Sequence, residues 1–219
     1  MVSEQIAPYV QAAGRKLGDF GRLGPLSPEL AEPVASFASQ FEATEYDPQE
    51  VYAMLSAPNA SYAVVDGSGK LAHISLAYPA EVYNDIWGSL GKLEDYGSFG
   101  DDLTDGRHFY YEAVATAPEY QSHGLATLAS SLVEIEARAA GYEEMIYLVD
   151  EGAVAAHESM GARLTDRTKT MTWDGKNHKF YEMCKLLDDQ AISKALQTIM
   201  TEEDLKQYVA QAKAAPTIH

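Results

Sequence analysis

Nine residues, His108-Phe-Tyr-Tyr-Glu-Ala-Val-Ala-Thr116, are dense in aromatic and β-branched side chains and are followed by Pro118. They read as a strand. Gln121-Ser122-His123-Gly124-Leu125-Ala126 comes next as a glycine-bearing turn. Beyond it a helix is predicted from about His123 to Ala140, with Leu125, Leu128, Leu132, Ile135 and Glu136 at helical spacing and Gly141 as its stop. A strand, a tight turn and an amphipathic helix in that order commit the chain to a layered α/β arrangement. The same order leaves backbone N–H groups and the positive end of a helix dipole facing outward, a geometry that holds a pyrophosphate without many basic side chains. Gly124 lets a ligand come close to the backbone, and Ala126 keeps the first helical turn small.

The remaining elements fall around this unit. Lys16 to Leu23 suggests a glycine-interrupted first strand. Ser27-Pro28-Glu29 opens a helix carrying Leu30, Val34, Phe37, Ala38 and Phe41, and Asp47-Pro48 opens a second with Val51, Met54 and Leu55 on one face. Ser61–Val65 and Leu71–Tyr78 flank Asp66-Gly-Ser-Gly69 as a hairpin. Glu81 to Gly106 reads as a long irregular loop, rich in glycine, aromatics and acids. Then follow a short strand Glu144–Val149, a brief helix Ala153–Met160, and a hairpin of Arg163–Trp173 with His178–Leu187 about Asp174-Gly175. Ile192, Leu196, Ile199 and Met200 form a further helical stripe. Thr201-Glu202-Glu203-Asp204 looks like the cap of a last helix bearing Leu205, Tyr208 and Val209.

Composition narrows the function classes. Hydrophobic residues make up 46% of 219 and charged residues 22%, enough for a sizeable core. A net charge of −17 repels nucleic acid and attracts cationic amines. Cys184 is the single cysteine, so no internal disulfide or cysteine-based zinc site is expected, and its strand-like context suits a buried, inert thiol. His73 and His108 lack partners at metal spacing, and no metal is expected. No basic leader and no membrane-length apolar run stand in the chain, so a cytoplasmic protein without membrane attachment is expected.

Gln121, Gly124 and Ala126 match Gln/Arg-x-x-Gly-x-Gly/Ala, and Pro118-Glu119-Tyr120 is a proline–acid–aromatic run just before it. With the order of elements, these residues give a chain that resembles the GCN5-related N-acetyltransferases, the GNAT superfamily, from roughly Arg15 to Leu187. The resemblance implies a central mixed, mostly antiparallel sheet of six to seven strands flanked by helices. Residues 1–187 would form the acyl-CoA-binding domain, and 188–219 an extra C-terminal helical extension packed on it. It also implies acetyl-CoA as co-substrate. The main chain at Val114, Ala115 and Thr116 would pair with the pantetheine arm. Gln121, Ser122, His123, Gly124, Leu125 and Ala126 would hold the pyrophosphate, with the Thr127 hydroxyl as an extra donor. In the following helix the chain departs from the family pattern: Asp150 stands for asparagine, His157 for the tyrosine that serves as acid, and Ala162 for phenylalanine.

Acetyl transfer to an amine needs a base, a held thioester and a donor for the departing thiolate. Glu112 supplies the base if it faces the cleft, and is an ordinary strand carboxylate if it does not. His157, with an ordinary pKa near ~6.5, can carry a proton for the thiolate; Tyr147 and Tyr181 are alternative phenols. The expected activity is transfer from acetyl-CoA to a primary amine of a small molecule or peptide, by direct attack in a ternary complex. The acids from Glu94 to Asp105 point to a cationic acceptor, and a homodimer is allowed for. The alternative is a non-catalytic module that keeps the fold and binds CoA or another ligand.

Overall fold

The computed structural model describes residues 5–41, 45–173 and 176–206. Seven strands form one sheet: β1 (Gly21–Pro25), β2 (Tyr62–Asp66), β3 (Leu71–Pro79), β4 (His108–Thr116), β5 (Glu144–Val149), β6 (Arg163–Trp173) and β7 (Lys176–Leu186). Their spatial order is β1-β2-β3-β4-β5-β7-β6. Every neighbouring pair is antiparallel except β4 and β5. That exception follows from connectivity. The helix α6 (Leu125–Ala139) joins them, and a strand–helix–strand crossover returns the chain in the same direction.

The sheet separates two cores. On one face lie α2 (Ala31–Phe41), α3 (Pro48–Ser56), α4 (Tyr83–Ser89) and α5 (Leu93–Tyr96), burying Val34, Met54, Trp87 and Tyr96 against Ile74, Leu76 and Tyr110. On the other face α1 (Ala7–Leu17), α6 and α8 (Asp189–Ile199) bury Ala12, Leu132 and Ile199 against Phe109, Tyr111 and Met145. Alternation along β3 and β4 feeds both cores. The α8 stripe packs as its spacing predicts, and α8 is tied to α1 by the Lys16 ammonium on the Thr198 carbonyl at 2.5 Å. Thr201 and Asp204 cap each other's backbone N–H groups, at 3.1 and 3.2 Å, where residues 202–206 turn helical. Tyr208, Val209 and the Asp174-Gly175 turn lie outside the described residues.

The structure corrects two readings. The residues up to Leu17 belong to α1, so the first strand begins only at Gly21; Gly18, at φ 56°, ends the helix. The stretch from Glu81 to Gly106 is not one irregular loop. Tyr83, Ile86 and Trp87 sit at helical spacing and are buried on α4, and α5 follows. Frequent glycines hid these two helices because each is about one to two turns long, too short to register as a period.

The edge strand β1 depends on a close approach. A Cβ on Gly21 would stand 2.2 Å from the Val65 carbonyl oxygen. Gly21→Ala is therefore expected to destabilise the protein by about 1–3 kcal/mol, measured as a lower midpoint in urea unfolding.

Candidate active site

Pairing of β4 with β5 runs only from His108↔Glu144 to Tyr111↔Tyr147. Past that point β4 stays with β3 as far as Thr116, and β5 stays with β7 as far as Val149. The two strands must part, and their facing edges lose their ladder. A cavity of about 220 Å³ occupies the gap, with Glu112, Val114, Leu148, Asp150 and His157 in its wall. A smaller one of about 70 Å³ on the α6 side is lined by Val114, Ala126, Ser130, His157 and Ala162. Tyr111, Val114, Tyr147 and His157 border both, so the two lie back to back where the strands part.

Glu112 owes its position to a β-bulge. Leu76 pairs with Ala113 and Ala77 with Tyr111, which leaves Glu112 without a partner on β3. Both Glu112 and Ala113 then face the α2–α5 side, where the Tyr78 hydroxyl donates to Glu112 Oε2 at 2.5 Å and Tyr46 adds a second hydrogen bond. Burial raises the carboxyl to about 7; the tyrosine bonds and the Lys169 charge pull the other way without overcoming it. A carboxyl in that range gives and takes a proton near neutral pH.

His157, on α7 (Val154–Ser159), packs at 5.0 Å against the Tyr147 ring, which stacks on Tyr111 at 5.6 Å. Its Nδ1 is buried without a hydrogen-bond partner among the described residues. Burial lowers its pKa, opposed by Asp150, so the ring is neutral at pH 7. It then offers a neutral N–H rather than a stored proton. Burial likewise holds the Tyr147 phenol well above its ordinary pKa, fully protonated. Tyr181 lines neither cavity. Asp150 accepts from the Ala153 N–H at 2.9 Å and so caps the turn into α7.

The predicted phosphate turn lies where α6 begins. Gln121, Ser122, His123 and Gly124 are exposed, and so is Thr127. Gly124 adopts φ 74°, and no side chain caps the helix. The first turn of α6 carries no acidic residue, so its N–H groups and dipole meet solvent uncontested and suit an anionic diphosphate. The Leu125 side chain is buried with Val64 and Ala72, leaving only its backbone for a ligand. The Gln121 amide folds back on the Thr116 carbonyl at 3.4 Å, and His123 Nδ1 donates to the Tyr120 and Gln121 carbonyls at 3.2 and 2.9 Å. Thr116 Oγ1 bonds His73 Nδ1 at 2.7 Å, and His73 Nε2 meets Ser75 at 2.9 Å. With both nitrogens satisfied and its pKa lowered to about 4 by burial, His73 is a neutral core residue. His108 is similarly occupied, by Asp105 at 3.0 Å.

Three features were beyond sequence reasoning. The bulge at Glu112 has no motif, the Tyr46 and Tyr78 hydroxyls come from distant segments, and Lys169 enters from β6. The acids of the Glu94–Asp105 segment are partly committed elsewhere: Asp102 pairs with Arg167 and Asp105 with His108.

With this geometry in place, the comparisons with known proteins decide the family. The profile of the acetyltransferase (GNAT) family matches residues 36–162. The chain belongs to that family. No curated protein matches the sequence. Among solved structures, Ard1 from Thermoplasma volcanium superposes with a TM-score of 0.57 at 12% identity, covering 77% of this chain and 99% of that one. Arabidopsis thaliana NAA60 in complex with acetyl-CoA gives 0.55 at 14% identity, covering 75% and 97%. The putative acetyltransferase yncA from Salmonella typhimurium, with its cofactor acetyl-CoA, gives 0.54 at 15% identity, covering 77% and 95%. At these identities the likeness is one of fold. The chain is a GNAT-family acetyltransferase, and two of these structural neighbours are complexes with acetyl-CoA. Among the described residues no helix is long and apolar enough to cross a membrane.

Ser122 is the one non-glycine residue with positive φ, at 64°, among the described residues. That conformation costs an L-residue roughly 1–2 kcal/mol. Ser122→Gly is expected to raise the unfolding free energy by up to about 1 kcal/mol, read from thermal or denaturant unfolding; unchanged or lowered stability would show that the turn is not strained.

Proposed function

We propose that this protein transfers an acetyl group from acetyl-CoA to a primary amine of a small molecule or peptide, by direct attack in a ternary complex. The observation that carries the reading is the half-buried Glu112 carboxylate, left without a β3 partner at a bulge and facing the gap between the parting strands. Acetyl-CoA supplies the activated thioester. In this reading the free edge of β4 at Val114, Ala115 and Thr116 binds the pantetheine arm, and the backbone from Gln121 to Ala126 takes the pyrophosphate, with Ser122, His123 and Thr127 beside it. Residues 1–187 make up this acyl-CoA-binding unit, and 188–219 form a helical extension of it.

Glu112 takes a proton from the acceptor ammonium. The neutral amine then forms the C–N bond as the C–S bond breaks, the electron pair leaves on sulfur, and the second proton shed by the acylated nitrogen goes to the departing thiolate to give free CoA thiol. The His157 N–H stabilises the departing thiolate, with the Tyr147 phenol beside it as an alternative donor. A cationic acceptor suits the wall of the cleft, where Glu112 and Asp150 supply negative charge and Tyr46, Tyr96 and Tyr110 supply ring faces. The protein's charge of −17 favours the approach of such an amine and disfavours a nucleic-acid acceptor.

Saturating acetyl-CoA is expected to raise the melting temperature by roughly 5–10 °C at about 100-fold excess over Kd. No shift with either acetyl-CoA or CoA would refute the co-substrate. Glu112→Gln should lower kcat/KM for the amine by about 10²–10⁴-fold while the acetyl-CoA shift persists. The wild-type kcat/KM should fall about tenfold per pH unit below about 7, because the base must be ionised and its folded pKa is raised to about 7. A flat profile from pH 5 to 8 would remove Glu112 from that role.

A further inference from the structure

Lys169 sits on β6 opposite Phe180, and its side chain turns inward. The Nζ atom is buried and has no hydrogen-bond partner among the described residues. It lies 4.1 Å from the ring centroid of Tyr83 and 4.1 Å from that of Phe99. Those rings stack at 3.9 Å, and both meet Tyr110 edge-on at 5.5 and 5.1 Å. Tyr110 in turn lines the cleft with Glu112. The segment after α5 is shaped around the lysine: a Cβ on Gly97, at φ 69°, would come within 3.3 Å of Lys169 Cε.

A buried ammonium without a hydrogen-bond acceptor requires an opposite charge nearby. Ring quadrupoles offset part of the cost. Two carboxylates act on Lys169, those of Glu112 and Glu182. Glu182 is already held by Arg167 through Nε at 2.8 Å and Nη2 at 2.6 Å. Glu112 is the one left to balance the lysine.

We propose that Lys169 is a positioning residue of the acceptor site, an ammonium held behind the aromatic wall as the countercharge that keeps Glu112 ionised and ready to take the acceptor's proton. The inference rests on Glu112 being the base. Burial drives both groups toward their uncharged forms, each to about 7, and each opposes that drift in the other. The other groups acting on Glu112 include Tyr46, Glu50 of α3, Tyr78 of β3, Tyr83 of α4, Tyr96 of α5 and Tyr110 of β4. Among the described residues, Lys169 is the cation in this set. Near neutral pH the ionised pair competes with the neutral pair, so removing the ammonium leaves only the Tyr78 and Tyr46 hydrogen bonds to favour the carboxylate.

The test is a ¹³C NMR titration of the glutamate carboxyls in the full chain between pH 4.5 and 9, with the Glu112 signal assigned by its loss in Glu112→Gln. Lys169→Met should raise the Glu112 midpoint by about one pH unit or more, and Lys169→Arg should keep it at or below the wild-type value. The acidic limb of kcat/KM should move with the NMR midpoint, which a merely structural lysine would not cause. A Glu112 midpoint unmoved by Lys169→Met overturns the inference. Where the methionine variant does not fold, a raised midpoint in Lys169→Arg overturns it instead. An acidic limb that survives in Glu112→Gln overturns the base assignment itself, and the NMR coupling distinguishes that failure from the other.

Discussion

A parallel pair of strands that stops after four residues sets the conditions for everything at this site. While β4 and β5 are hydrogen-bonded, their backbones satisfy each other. Once they diverge, the edge of β4 from Glu112 onward carries polar groups with no neighbour on that side. The flanking ladders to β3 and β7 hold each strand rigidly, so the gap cannot close by local collapse. A narrow opening in a close-packed sheet results, with one helix start on one side and a cluster of aromatic side chains on the other.

The bulge adds the chemistry to the opening. Alternation from Tyr111 sends the Glu112 side chain to the acceptor side, and the extra residue keeps Ala113 there with it while leaving Glu112 without a partner on β3. The carboxylate there enters an environment built from tyrosines of β3, β4 and the segments around α3, α4 and α5. Burial there raises its proton affinity into the neutral range, and Tyr78, Tyr46 and Lys169 limit how far. The same burial acts on His157 in the opposite direction, since a buried imidazole loses its charge while a buried carboxyl gains its proton. The gap therefore holds a proton-accepting carboxyl on one side and a neutral ring next to a protonated phenol on the other.

Much of the frame was legible along the chain because its signals are local. The helix start at Asp47-Pro48, the periodic stripe of α6 and the hairpin around Gly69 each depend on residues within a few positions, and each stands where its pattern placed it. The glycine-rich connection failed that test. Its helices α4 and α5 are held by Tyr96 stacking on Trp87 and by Phe99 stacking on Tyr83 and meeting Tyr110 edge-on, contacts wider than a helical turn.

From its sequence alone, the chain determined its layered α/β class, the strand–turn–helix unit from His108 to Ala139 and the family to which that unit belongs. Local propensity and turn chemistry suffice for those. Only the tertiary structure decided which way Glu112 points, that His157 is neutral, and that Lys169 lies behind the cleft. Orientation at a bulge depends on register with β3, and a pKa depends on how much water and charge the folded chain leaves around a group. Both are set by residues brought together from across the fold.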